Sequence, residues 1–130
     1  MMTLTITDET FTGDIINSIS LDFEKELITV AEIIEQRVRK EVENYNAKMS
    51  DYFQGLVMPS DAEKSLNGYK IKNKRTIDAE QQAYIALGAF QKNGFFVLID
   101  DKQAEDLNEK VLLHNKIKVS FIKLTPLVGG

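Results

Sequence analysis

The sequence predicts an α+β fold. Three observations carry that reading. Polar and apolar residues alternate near the start, two later stretches place apolar residues at helical spacing behind capping residues, and the final third returns to short extended runs. The predicted order is β-β-α, then a segment containing a second helix, then β-β-β.

Thr3-Leu4-Thr5-Ile6-Thr7 is apolar at every second position, the period of a strand with one buried face. Asp8 to Asp14, with Gly13, reads as a turn region. Ile19, Leu21 and Phe23 then alternate with Ser20, Asp22 and Glu24 to give a second strand, so the two form an N-terminal hairpin. Thr29-Val30-Ala31-Glu32 fits a capping box, in which the hydroxyl and the carboxylate each accept from an otherwise unpaired amide. Behind it Val30, Ile33, Ile34, Val38, Val42 and Tyr45 form an apolar stripe, with Glu32, Glu35, Arg37, Arg39, Lys40 and Glu43 on the other faces. The helix is expected to end near Asn46.

Residues 47–75 are less regular and are punctuated by Gly55, Pro59, Ser60-Asp61 and Asn67-Gly68. Leu56-Val57-Met58 and Tyr69-Lys70-Ile71 are expected as short extended or packed pieces. A second helix is predicted from Asp78 to Lys92, capped by Asp78 with Gln81 at the reciprocal position. Ala79, Ala83, Ala86, Leu87 and Phe90 supply its buried face; Tyr84 and Phe90 are read as internal packing, with an interface as the alternative. Asn93-Gly94 stops it, glycine being able to take the left-handed conformation. The strands Phe95 to Ile99, Lys110 to Leu113 and Lys118 to Leu124 follow, with turns at Asp100-Asp101 and His114-Asn115-Lys116.

The 130 residues suit one domain. A net charge of -4 argues against a general nucleic-acid binder. The absence of cysteine excludes disulfides, thiolate zinc sites and a cysteine nucleophile, and is compatible with a reducing, cytoplasmic setting. No signal peptide is read at Met1-Met2-Thr3-Leu4-Thr5-Ile6, and the apolar run Phe95-Phe96-Val97-Leu98-Ile99 is far too short to span a bilayer. A lone His114 in a turn reads as solvent-exposed. Asp100, Asp101, Glu105 and Asp106 lack the spacing of a calcium loop and read as a solvated turn. The basic cluster Lys70, Lys72, Lys74 and Arg75 has no interleaved aromatics and reads as a solvated edge or a patch for an acidic partner. No phosphate loop, Ser-His-Asp order or metal motif is present, so no cofactor is expected.

With these elements in order, the sequence resembles the β-grasp, ubiquitin-like group. Phe96-Val97-Leu98-Ile99-Asp100-Asp101-Lys102-Gln103-Ala104-Glu105-Asp106-Leu107 is similar to the ubiquitin segment in which a strand and tight turn lead to Gln-x-Glu-Asp. Lys118-Val119-Ser120-Phe121-Ile122-Lys123-Leu124, followed by Thr125-Pro126-Leu127-Val128-Gly129-Gly130, is similar to the bacterial sulfur-carrier branch, and the helix Thr29 to Asn46 resembles that of a bacterial group of stand-alone ubiquitin-like proteins. The resemblance covers residues 1–46 and 95–130, leaving 47–94 as an insertion that carries the second helix. It implies one β-grasp domain over 1–125 with a packed helix, and a Gly-Gly tail over 126–130.

It further implies a protein modifier or sulfur carrier. An E1-like enzyme would adenylate the Gly130 carboxylate, with transfer to a protein acceptor or a sulfur-transfer enzyme; this chain would be the substrate, not the enzyme. Gly129 and Gly130 are the candidate activation site, thin enough to enter a narrow cleft because glycine has no Cβ. Pro126, which fixes φ and lacks an amide donor, is expected to end the last strand. Leu127 and Val128 are the candidate channel contacts. The alternative is an inert tail on an interaction module that docks a protein partner through its sheet and the 47–94 insertion.

Overall fold

The computed structural model describes residues 1–72 and 75–123. Strands β1 (Met2–Glu9) and β2 (Ile15–Phe23) form the expected antiparallel hairpin, both reaching further toward the turn than the alternation indicates. A register shift between Asp8 and Glu9 sets Asn17 opposite Asp8 and Ile15 opposite Glu9, so Ile16 is an extra, bulged residue. The period-two signal fails before Ile19 because Asn17, opposite the inward Asp8, is polar, and because Ile16 is the bulge. Gly13 closes the turn at φ +92, donating its N–H to Thr10 O at 3.0 Å.

A short strand, β3 (Leu27–Thr29), runs straight into α1 (Val30–Lys48). The capping box forms as predicted: Glu32 N–H donates to Thr29 Oγ1 at 3.1 Å, and Thr29 N–H donates to Glu32 Oε1 at 3.3 Å. Val30 and Ala31 N–H donate to the carbonyls of Glu109 and Leu107, so two further first-turn amides are also satisfied. All six predicted stripe residues are buried. Met49 ends the helix in a left-handed conformation, φ 50, donating its N–H to Tyr45 O at 2.7 Å.

The segment read as irregular contains a small antiparallel sheet of β4 (Tyr52–Phe53), β5 (Ala62–Ser65) and β6 (Gly68–Ile71), ordered β4-β6-β5. Tyr69-Lys70-Ile71 lies in β6. Leu56 and Val57 are buried as packed loop residues, not as a strand. Helix α2 (Ala79–Gln91) is capped by Asp78, whose Oδ1 accepts from Glu80 and Gln81 N–H at 2.9 and 3.3 Å. Asn93, at φ 61, takes the left-handed position expected of Gly94. Ala83, Ala86 and Phe90 are buried as predicted, while Ala79 and Leu87 are only partly so. Tyr84 does not pack internally: it is 80% exposed.

The rest is β7 (Phe95–Ile99), β8 (Lys102–Gln103), β9 (Lys110–Leu112) and β10 (Val119–Lys123). Asp100 and Asp101, at φ 49 and 68, join β7 to β8 in a two-residue turn with both positions left-handed, which matches the twist of the flanking strands. β3 pairs with β9. The main sheet is ordered β2-β1-β10-β7-β8, with β10 parallel to β1 and antiparallel to β7. The fold is thus α+β with a mixed sheet and, among the described residues, two helices. The buried faces of the sheet (Leu4, Ile6, Leu21, Val97, Val119, Phe121) join the α1 stripe in one apolar cluster. That cluster also takes in Phe53, Leu56 and Ile71 from the segment between α1 and α2, and Ala86 and Phe90 from α2. Side-chain amides tie that segment to the two helices. Asn46 brackets Ile77, donating to its carbonyl at 3.0 Å and accepting its N–H at 2.9 Å; buried Gln82 donates to Val57 O at 2.7 Å.

Candidate functional site at the end of the central strand

Gly129, Gly130, Pro126, Leu127 and Val128 lie outside the described residues, as does Leu124. The described structure ends at Lys123, the last residue of β10. Its surroundings are the part of the site that can be built from the residues upward.

Alternation along β1 turns Leu4, Ile6 and Asp8 inward, and along β10 turns Val119 and Phe121 inward. Asp8 therefore enters the core at the end of the sheet where β10 also ends. From α1, Arg37 and Glu41 extend the row begun by Ile33 at steps of four residues, so they face the same interior. Arg37 is 2% exposed. Its Nη2 donates to Asp8 Oδ2 at 2.8 Å, its Nη1 donates to Asp8 Oδ1, and its Nε donates to Glu41 Oε2 at 3.1 Å. The guanidinium also lies 4.7 Å from the centre of the Phe121 ring. Asn17 Nδ2 donates to Asp8 at 3.3 Å, and the second Glu41 oxygen accepts Leu56 N–H at 3.2 Å.

Lys123 completes the cluster. Its Nζ donates to Gly55 O at 3.1 Å and lies 5.5 Å from the centre of the Tyr69 ring. Gly55 is fixed by close approach, since a Cβ there would meet the Phe53 ring at 2.1 Å. Two carboxylates thus balance a guanidinium and an ammonium. Burial pushes the Glu41 carboxyl above its usual range, against the opposing pull of Arg37 and the Leu56 amide. Burial, then Arg37, holds the Lys123 ammonium below the usual lysine range. Burial and the Glu41 charge raise the Tyr69 phenol. For Arg37, burial alone would lower the pKa, but the Asp8 hydrogen bonds and the two carboxylate charges outweigh it and the net shift is upward.

These groups saturate one another, which suits holding rather than reacting. They tie the end of β10 to β1 through Asp8, to α1 through Arg37 and Glu41, and to the insertion through Gly55 and Tyr69. A cleft opens on either side of Lys123: one of about 310 Å³ against Asp8, Phe11 and Ile16, and one of about 240 Å³ against Phe53, Lys64 and Tyr69. Phe11 and Ile16 are 69% and 66% exposed.

The other sequence candidates are not brought to this site. His114 is exposed in a turn, its Nδ1 accepting Lys116 N–H at 3.2 Å. Asp100 Oδ1 accepts Lys118 N–H at 2.9 Å, Asp101 pairs with the Lys118 ammonium at 3.0 Å, and Asp106 accepts Asn108 N–H at 2.8 Å. Among the described residues no group of three His, Cys, Asp or Glu side chains is placed to hold a metal ion. Of the basic cluster, Lys72 pairs with Glu63 at 3.1 Å and Arg75 with Asp61 at 4.0 Å; Lys74 lies outside the described residues. No described helix is long and apolar enough to cross a membrane.

Sequence reading missed the charge cluster. It put Arg37 among the solvated faces of the helix and passed over Glu41. The signal was present in the step-of-four row Ile33, Arg37, Glu41, where two opposite charges sit on an otherwise apolar stripe. Comparison of the chain with known protein families, curated proteins and solved structures finds no match in any of the three.

Proposed function

We propose that the chain is a β-grasp, ubiquitin-like protein modifier or sulfur carrier whose Gly130 carboxylate is activated by an E1-like adenylating enzyme. The observation that carries the reading is the place of β10. It lies inside the sheet, parallel to β1 and antiparallel to β7, in the strand order β2-β1-β10-β7-β8 with a helix following the first hairpin. The residues after Lys123 therefore continue from an interior strand clamped by the buried charges, and they run through Pro126, Leu127 and Val128 to Gly129-Gly130. In the proposed chemistry the Gly130 carboxylate attacks the α-phosphorus of ATP and pyrophosphate leaves. An amine then displaces AMP to give an amide, or a persulfide of a partner enzyme displaces AMP to give an acyl disulfide, which a second thiol cleaves to the thiocarboxylate and a new disulfide. ATP and magnesium belong to the activating enzyme, and no catalytic side chain of this chain is needed.

Intact mass spectrometry of the full chain from its native host tests the proposal. A sulfur-for-oxygen mass shift on the C-terminal peptide indicates a thiocarboxylate, and larger adducts there indicate conjugation. Deletion of Gly129-Gly130 must abolish either product, and adducts that survive the deletion refute the proposal.

A second reading, an interaction module with an inert tail, is favoured by one observation. Phe96, Leu98 and Ile122 lie on the outward face of adjacent strands, with Ile122 paired to Phe96, and all three remain partly exposed. Partner binding that persists without the tail but is lost in Leu98→Asp would select it.

A further inference from the structure

The tip of the first hairpin is braced and apolar at once. Its turn is held by its own groups: Thr10 N–H donates to Asp14 O at 3.0 Å, Asp14 N–H donates to Thr10 Oγ1 at 3.2 Å, and the Thr12 hydroxyl donates to Asp14 Oδ2 at 3.2 Å. This turn holds up Phe11, and the bulge beyond it leaves Ile15 and Ile16 in solvent as well. None of the three belongs to the core cluster, and bulges recur beside functional sites, where they re-aim side chains. Phe11 and Ile16 border the same cleft as Lys123, so the tip stands beside the point where the chain continues into residues 124–130. The hairpin is also acidic throughout. Residues 1–24 include Asp8, Glu9, Asp14, Asp22 and Glu24 and no Lys, Arg or His. Asp8 is taken up by Arg37; Glu9 and Asp14 flank the tip, and among the described residues neither makes an ion pair.

We propose that this tip is a docking anchor for the activating enzyme. Phe11 and Ile16 enter an apolar pocket of that enzyme, basic side chains at the pocket rim pair with Glu9 and Asp14, and the same enzyme takes the residues after Lys123 into its adenylation cleft. The inference rests on the reading of Gly130 as the activated group and adds a second surface that the same partner uses. Two observations choose this partner. The cleft is shared by the tip and Lys123, so an enzyme that holds the tail is already against Phe11 and Ile16. The charge disfavours a second copy, because a twofold contact at the tip would bring two acidic rims together. A side chain held up by a braced turn loses little freedom on binding, and aromatic anchors carry a large share of interface affinity. The acidic rim sets the rate of encounter and its salt dependence.

The test uses the full chain and the activating enzyme, purified from the native host by its chain-dependent exchange of pyrophosphate into ATP. Phe11→Ser and Ile16→Ser are each expected to raise the KM for the chain by about tenfold with kcat within about twofold, since docking is lost and the tail chemistry is not. Both side chains are exposed, so the thermal midpoint is expected to move little. Glu9→Lys and Asp14→Lys are expected to raise KM at low salt and to flatten its dependence on salt. Deletion of Gly129-Gly130 is expected to behave differently: exchange is lost, but the shortened chain still competes with the wild type, and adding Phe11→Ser weakens that competition. A KM unmoved by Phe11→Ser and Ile16→Ser overturns the docking proposal and leaves activation of Gly130 standing; a native host with no chain-dependent exchange overturns both. A KM that falls in these variants makes the chain's own tail the occupant of the tip. Self-association lost on sedimentation with KM unchanged makes it a second copy. Either result overturns the proposal.

Discussion

Replacing Arg37 with methionine isolates the buried charge cluster. The guanidinium makes three charge-assisted hydrogen bonds to two carboxylates, with Asp8 and Glu41 each 7% exposed. Methionine keeps most of the apolar stem and its packing on Phe121 but leaves both carboxylates without their main partner. Removing one member of a buried ion pair costs about 3–5 kcal/mol, a large part of the ~5–15 kcal/mol available to a domain. That corresponds to a fall of roughly 10–20 °C in melting temperature.

The loss should depend on pH. Burial drives the Glu41 carboxyl above its unfolded value, and without Arg37 the largest opposing pull on it is gone. The folded state then binds more protons than the unfolded state in that window, so its stability rises as pH falls. Urea unfolding at about pH 7 and about pH 5 should therefore show a deficit that shrinks at the lower pH. Adding Asp8→Asn and Glu41→Gln to Arg37→Met should recover most of it at neutral pH, because neither carboxylate is left charged without its guanidinium partner. A deficit below about 1 kcal/mol at neutral pH, or one independent of pH, would refute the argument that burial of these charges dominates.

The other expectations concern single positions. Lys123 is held below the usual lysine range, so the unfolded chain binds its proton more tightly just below 10.5. As pH rises toward 10.5 the wild type should gain stability relative to Lys123→Met, as read by denaturant titration. Gly55→Ala drives a methyl into the Phe53 ring and should cost about 1–3 kcal/mol as overpacking, measured by the urea midpoint. Thr29→Ala removes the N-cap acceptor of α1 and should cost about 1 kcal/mol in the same assay.

What was legible in the sequence followed from local signals. The capping box at Thr29 and Glu32 and the stripe from Val30 to Tyr45 are written within one helix, and the structure follows them residue by residue. Other features depend on partners distant in sequence. β3 is three residues long and exists because β9 lies alongside it; the sheet of β4, β5 and β6 has strands too short to show a period. Ile15 and Ile16 fail to alternate because Ile16 is the bulged residue between Ile15 and the rest of β2. The charge cluster was illegible for a related reason. Arg37 on a helix is solvated by default, and its bidentate partner Asp8 lies 29 residues earlier, out of reach of any local pattern. Tyr84, expected to pack internally, is turned to solvent by its place on α2 opposite Ala86.

The parallel pairing of β1 with β10 has a consequence for how the molecule is made. β10 fills the gap between two hairpins, β1–β2 on one side and β7–β8 on the other, and it comes last in chain order among the described strands. During synthesis both hairpins emerge with facing edges unpaired and apolar residues uncovered, and no earlier segment closes them. Joining the first strand to the last is the contact of longest sequence separation in the sheet, and such contacts are slow to form. The nascent chain is thus most exposed to wrong edge pairing just before β10 arrives. The same closure makes the end of β10 a report on folding: Lys123 reaches Gly55 and Tyr69 only in a molecule whose sheet is complete. A partner that engages the residues following Lys123 on this platform would meet finished molecules and pass over unfinished ones.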